Sequence, residues 1–159
     1  MVAVAGGDRQ GLVAKNAGAC REASILPLST IPGIRLMNID DIARRLVQLC
    51  REGKYEQAQD ELYADSAVSI EMEGLPEGTL GNAHGLAAIR EKGRRWRESI
   101  ESIHAAEMSD PLLAGNWFSV SSRVDATYKG MGRMDLREIA VYRVREGKVV
   151  HEQFFYDLG

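Results

Sequence analysis

Arg123 and Asp125 stand two residues apart in SSRVDATYKG, and Glu152 sits inside the apolar run KVVHEQFFYD. An arginine and a carboxylate at that spacing share one face of a strand, where they can pair and act as a general acid whose charge the guanidinium sets. Glu152 has Phe154 and Tyr156 on its own side of the strand, a setting in which burial lifts a carboxyl toward neutrality and makes it a base. Each has a plainer account: a structural salt bridge for Arg123 and Asp125, and a diagonal pair with Arg143 for Glu152. Glu138 is a further acid in an apolar stretch, and Glu71 and Glu73 end the strand-like AVSIEME at a pocket mouth or in solvent. Tyr63, Glu71, Trp96, Ile139, Val141, Phe154 and Tyr156 are the expected ligand-binding residues, around catalytic Arg123, Asp125 and Glu152.

Other chemistries find no support. His84, His104 and His151 do not cluster with cysteine or carboxylate at metal-ligand spacing, so no metal is expected. The glycines of EGLPEGTLG do not lead from a strand into a helix at phosphate-cradling spacing, and no cofactor is expected.

The elements that must hold these residues read clearly from Asn38 onward. Ile39, Ile42, Ala43, Leu46 and Cys50 recur at helical spacing, with Asn38 or Asp40 to cap the first turn and Gly53 to end it. A second short helix carries Tyr55, Ala58 and Leu62, and a third runs from Leu86 through Ile89 and Trp96 to Ile100. Strands are expected over roughly 67–73, 102–112, 115–128, 132–145 and 148–156, with hairpin turns at Gly130-Met131-Gly132 and Glu146-Gly147. Helices first and a meander after them give α+β, the helices packed on one face of a curved antiparallel sheet.

If Glu146-Gly147 is a two-residue turn, Arg145 faces Lys148, Val141 faces Glu152, Ile139 faces Phe154 and Arg137 faces Tyr156. A turn at 130–132 puts Asp125 opposite Arg137. One face then carries Arg123, Asp125, Ile139, Val141, Glu152, Phe154 and Tyr156. The other carries Val120, Ala126, Tyr128, Glu138, Ala140, Tyr142 and His151. Neither is purely polar, so helices must cover one and a second copy of the chain the other, which implies a homodimer. Apolarity alone places the second set under the helices, with Glu138 a desolvated acid among apolar neighbours.

The chain has 159 residues, 45% hydrophobic and 27% charged, with net charge −3. That suits one soluble domain and gives no support to nucleic acid or an anionic membrane as partner. Cys20 and Cys50 offer no disulfide framework, which fits a reducing cytoplasm, and no apolar run approaches the ~20 residues of a membrane span. Residues 1–36, glycine-rich and aperiodic, read as a flexible N-terminal extension ahead of a domain over 37–159.

Glu61-Leu62-Tyr63, Asp65 with AVSIEME, Gly81 ahead of a helix, and VYRVREGKVVHEQFFYD together resemble the SnoaL-like branch of the nuclear transport factor 2 superfamily, over about residues 38–157. The resemblance implies a cone of curved sheet, a cystatin-like α+β barrel closed by helices over a deep apolar pocket, usually dimeric. The family spans polyketide cyclases, ketosteroid isomerases, limonene epoxide hydrolases, dehydratases and non-enzymes, so it implies a small apolar organic ligand without fixing a reaction. Arg123 and Asp125 match the Arg-x-Asp of limonene epoxide hydrolases. Their water-activating Asp falls at Phe154 and their water-holding Asn near Glu71, which counts against epoxide hydrolysis and leaves Glu152 as substitute. The match places Arg123, Asp125 and Glu152 on the pocket side.

Overall fold

The computed structural model describes residues 37–74 and 80–156, and the extension expected over 1–36 lies outside them. Helix α1 (Ile39–Arg51) begins where Asn38 Oδ1 accepts the Asp41 amide at 2.9 Å, with Asp40 and Asp41 at the positive end of the helix dipole. Its buried stripe is Ile42, Ala43, Leu46, Val47 and Leu49, and burying each large aliphatic side chain is worth about 1.5–3 kcal/mol. Helix α2 (Tyr55–Leu62) follows and runs directly into β1 (Tyr63–Ile70). A short β2 (Ala83–His84) and α3 (Leu86–Ser99) lead to β3 (Ile100–Met108) and β4 (Leu112–Ala114). The long β5 (Trp117–Tyr128), β6 (Gly132–Arg145) and β7 (Lys148–Tyr156) complete the chain.

The strands form one unclosed sheet in the order β2-β1-β7-β6-β5-β3, with β4 beside β5. All pairings are antiparallel except β1 with β7. That parallel pair is the departure from the all-antiparallel expectation: α2 hands the chain into β1 on the same side from which β7 starts. Lys148 secures the junction by donating from Nζ to the Glu61 carbonyl at 2.7 Å, a cation on the last turn of α2. None of the described helices is long and apolar enough to cross a membrane.

The Glu146-Gly147 turn is as expected, with both residues at positive φ (49° and 73°) and Arg145 facing Lys148. The β5–β6 turn comes one residue earlier than expected, so Asp125 faces Asp135 rather than Arg137; the shift is even and leaves the faces intact. The β6–β7 register does not survive. Val144 pairs with Val149, but Arg143 pairs with His151, so Val150 is an extra residue on β7. A bulge of one residue turns every later side chain to the opposite face. Tyr142 therefore faces Glu152, Ala140 faces Phe154 and Glu138 faces Tyr156. The expected pairs of Glu152 with Val141, Phe154 with Ile139 and Tyr156 with Arg137 are corrected accordingly.

The helices pack on the face that holds Phe118, Val120, Ala140, Tyr142 and Val149, all within the core cluster with Ile42, Leu46 and Ile89. Along the inner side of β6, Ala140, Tyr142 and Val144 are buried, whereas Met134, Leu136 and Glu138 are half-buried. The covered face is thus sealed at one end and open to solvent at the other.

Candidate active site

The bulge at Val150 brings Glu152 under the helices, where it is 6% exposed. The Tyr63 hydroxyl, at the first position of β1, donates to Glu152 Oε2 at 2.5 Å. Ser69 stands beside Glu152 in the parallel ladder and stabilises its charged form. The Ser69 hydroxyl also accepts from Lys92 Nζ at 2.8 Å, and the same ammonium meets Glu71 Oε1 at 2.5 Å. The other Glu71 oxygen accepts from the Tyr156 hydroxyl at 2.9 Å, while the Glu71 amide is fixed by Asn82 Oδ1. One connected chain of polar groups therefore runs Tyr156–Glu71–Lys92–Ser69–Glu152–Tyr63 along β1 and β7. Lys92 also lies over the Phe154 ring, 5.0 Å from its centre.

Glu138 adds a third carboxyl to this face. Its inward side chain is half-buried and takes a hydrogen bond from Ser122 at 2.8 Å, directly across the β5–β6 ladder. Burial pushes Glu138 above the usual carboxylate range, against the pull of Ser122, and the charges of Glu71 and Glu152 push the same way. Glu152 is raised as well, chiefly by burial, with Tyr63 and Ser69 opposing. The field extends to other groups: burial, helped by Glu152 and Glu138, pushes the Cys50 thiol up to about 12. The charge of Glu138 reaches Tyr55 and Tyr128, whose hydroxyls are pushed up chiefly by burial. Tyr55 and Trp96 meet edge to face at 5.8 Å, and Trp96 also stands beside the buried Tyr128 hydroxyl, favouring its charged form against burial.

Tyr63, Glu71, Trp96, Phe154, Tyr156 and Glu152 thus share the helix-covered side. Arg123, Asp125, Ile139 and Val141 do not. They lie on the opposite face, where Ile139 is 53% exposed, so the expected meeting of Arg123 and Asp125 with Glu152 is not found. Arg123 instead holds Asp135 at 2.8 and 3.1 Å and Glu107 at 2.8 Å, and it approaches Asp125 only to 4.0 Å. Asp125 takes two hydrogen bonds from Arg133, at 2.8 and 2.7 Å, which hold it below the usual carboxylate range. A carboxylate kept ionised in this way cannot donate a proton near neutral pH. The apolarity of the two residue sets, not the Arg-x-Asp likeness, identified the covered face on β5 and β6.

Lys92 and Ser69 were not expected in the cluster. Lys92 carried a signal: it lies three residues after Ile89 and four before Trp96, on the stripe that α3 turns inward. Two surface clefts lie elsewhere. One of about 380 Å³ is lined by Arg44, Arg51 and Pro111, and one of about 270 Å³ by Ser109, Arg123 and Arg137. Neither touches the interior chain, though Ser122, the partner of Glu138, edges the second, and no group of metal-ligating side chains occurs among the described residues.

Known proteins agree with this architecture. A Mesorhizobium loti protein assigned to the SnoaL-like polyketide cyclases, and also labelled a carbohydrate phosphatase, is 30% identical. The match covers 76% of this chain and all of that one, with a TM-score of 0.69. A nuclear transport factor 2-like protein of Burkholderia thailandensis is 22% identical over 74% of this chain and 89% of its own, at 0.64. A Catenulispora acidiphila protein with a ketosteroid isomerase-like fold, crystallised with trimethylamine, is 16% identical over 74% and 86%, at 0.58. No curated protein matches. The model of the SnoaL-like domain matches residues 37–156, the span of every element described above. The chain belongs to the SnoaL-like domain family.

Proposed function

We propose that this protein binds a small, largely apolar organic molecule against the helix-covered face and performs acid/base chemistry on it, with Glu138 as the proton-exchanging group. The carrying observation is the position of Glu138: a desolvated carboxyl, steadied by Ser122, at the half-buried end of an otherwise sealed aromatic and aliphatic face. A raised pKa there lets the carboxyl hold a proton more readily than a free one does, so that one group can both take and return it, as isomerisation, cyclisation, dehydration or hydrolysis requires. Glu152, fully enclosed and bonded to Tyr63, supports it from within the core rather than meeting the ligand.

Proton exchange reads this directly. A panel of apolar enolisable ketones in D₂O should show protein-dependent deuterium uptake at the α-carbon, falling about 10²-fold or more in Glu138→Gln. Uptake that is unchanged in that variant removes Glu138 from the chemistry. Binding of the ketones with no exchange at all makes the protein a non-catalytic ligand carrier of the same fold.

The outward face suits a second copy of the chain. Trp117, Ile139 and Phe155 are 36%, 53% and 46% exposed, and Ile139 sits directly opposite Phe155 in the ladder. A homodimer in the cytoplasm is the corresponding proposal. Sedimentation should give twice the chain mass, and Ile139→Asp should return it to one; a monomer at high micromolar concentration ends that proposal.

A further inference from the structure

The arginines on the outward face of β5 and β6 are not alike. Arg123, Arg133 and Arg137 each approach a carboxylate, at 2.8, 2.7 and 3.8 Å, whereas Arg143 pairs with none among the described residues. Its ladder neighbours are Trp117 and His151, rings rather than anions, and its guanidinium lies 5.2 Å from the centre of the Trp117 ring. The Arg143 Nε is buried and makes no hydrogen bond among the described residues. A buried donor on a charged group is destabilising without an acceptor, so this end of the face calls for an anion from outside the chain.

An acidic site lies at the matching position on the other end of the same face. Asp125 and Asp135 stand directly opposite each other in the β5–β6 ladder, and the Asp135 side chain is 42% exposed. Like charges so placed repel, and each Asp135 oxygen keeps a lone pair beyond its bond to Arg123. Ile139 lies midway, four residues from Asp135 and four from Arg143, about 14 Å of strand each way. Along β6 the exposed patch of Ile139 and Phe155 is therefore flanked by an acid at one end and an unpaired cation at the other.

We propose that two copies of the chain pack these faces together with their β6 strands antiparallel about a two-fold axis at Ile139, so that Arg143 of each copy meets the partner's Asp135. The inference rests on the dimer reading above and adds an orientation to it. Aligned sheets about 10 Å apart can be related by a two-fold that lies either across the strands or along them. An axis along the strands sets Arg143 against Arg143 and Asp135 against Asp135, like charge on like at both ends. An axis across them exchanges the ends and makes two identical ion pairs. These sit at the rim of the apolar patch, where charge fixes orientation more than affinity.

Two charge reversals in the full chain test this. Arg143→Asp and Asp135→Arg each place like charges at both contacts, so each variant alone should dimerise about tenfold or more weakly than the parent in sedimentation. Mixed in equal amounts they should recover the affinity of the parent, because each copy then offers the charge that the other lacks. Distances give an independent reading should Asp135→Arg disturb the hairpin. Spin labels at Arg145→Cys, with Cys20→Ser and Cys50→Ala, should lie about 40 Å apart across the dimer, whereas an axis along the strands would bring them within about 20 Å. Folded variants that fail to complement each other, variants that dimerise as the parent does, or labels at the short distance overturn the proposal and leave the dimer standing. A parent chain that stays monomeric at high micromolar concentration removes the dimer and this orientation together.

Discussion

The two faces of the sheet carry three carboxyls each and treat them in opposite ways. Outward, Arg123, Arg133 and Arg137 are interleaved with Glu107, Asp125 and Asp135, three charges against three, and all but Asp125 are within reach of water. Arg133 and Arg123 draw Asp125 and Asp135 below the usual carboxylate range. Inward, three carboxyls share one lysine under the helices, and burial drives Glu138 and Glu152 the other way. The carboxyls are equal in number; desolvation and the number of cationic partners decide the sign. Paired charge at a surface is scaffold, whereas unmatched charge in an apolar layer is the state that proton transfer and ligand recognition exploit.

The sharpest way to break this contrast is to remove Lys92. Lys92→Met leaves Glu71 buried beside Glu138 and Glu152 with no cation, and truncating one partner of a buried pair costs about 3 kcal/mol or more. Urea unfolding should show that loss with an unchanged slope. A loss below about 1 kcal/mol would mean that the interior is far wetter than its burial implies.

Next comes the dependence on pH. Glu138 has its folded pKa raised, so below the ordinary carboxyl value, about 4.3, it is protonated in both states. As pH climbs from there through the raised folded value, the unfolded chain ionises first and stability is lost, at no more than about 1.4 kcal/mol per pH unit. Glu138→Gln removes that loss, so its stability relative to the parent should rise across the same window and then level off. Asp125 has the opposite sign: its contribution is present above about pH 3.9 and disappears as pH falls through its depressed folded value. Thermal melts of the parent, Glu138→Gln and Asp125→Asn from pH 3 to 8 would separate the two faces. Parallel curves for the two variants would erase the distinction.

How much of this was legible beforehand follows from how each signal is written. The helices, the α+β order and the turn at Glu146-Gly147 are local patterns, and Asn38 caps where its side chain allowed. The faces of β5 and β6 were also legible, because period-two alternation survives an even slip in register. The site was not, because a single extra residue at Val150 has no signature in a run as apolar as KVVHEQFFYD, yet it decides where Glu152, Phe154 and Tyr156 point. Arg-x-Asp spacing was legible too, but the bidentate partner of Asp125 is Arg133, reached only once the hairpin is folded.

Lys148 tests the junction that places β7 beside β1. Its hydrogen bond to the Glu61 carbonyl joins the last turn of α2 to the start of β7, next to the bulge. Lys148→Ala should cost about 1 kcal/mol in urea unfolding, the value of one charge-assisted bond at a helix end.

The smallest effect belongs to the outer lattice, and salt is what exposes it. Arg123→Gln removes a cation held by Asp135 and Glu107, both well exposed, so water and neighbouring arginines absorb most of the change. Interactions among solvated charges fade once the screening length falls to about 3 Å, near 1 M salt, while a pair under the helices is screened far less. The small loss in Arg123→Gln should therefore vanish in 1 M NaCl, and the loss in Lys92→Met should persist. A salt-proof cost at Arg123 would mean that the surface covered in solution extends beyond the patch of Trp117, Ile139 and Phe155 to Arg123 itself, and sedimentation of the same variant would show whether a second copy is what covers it.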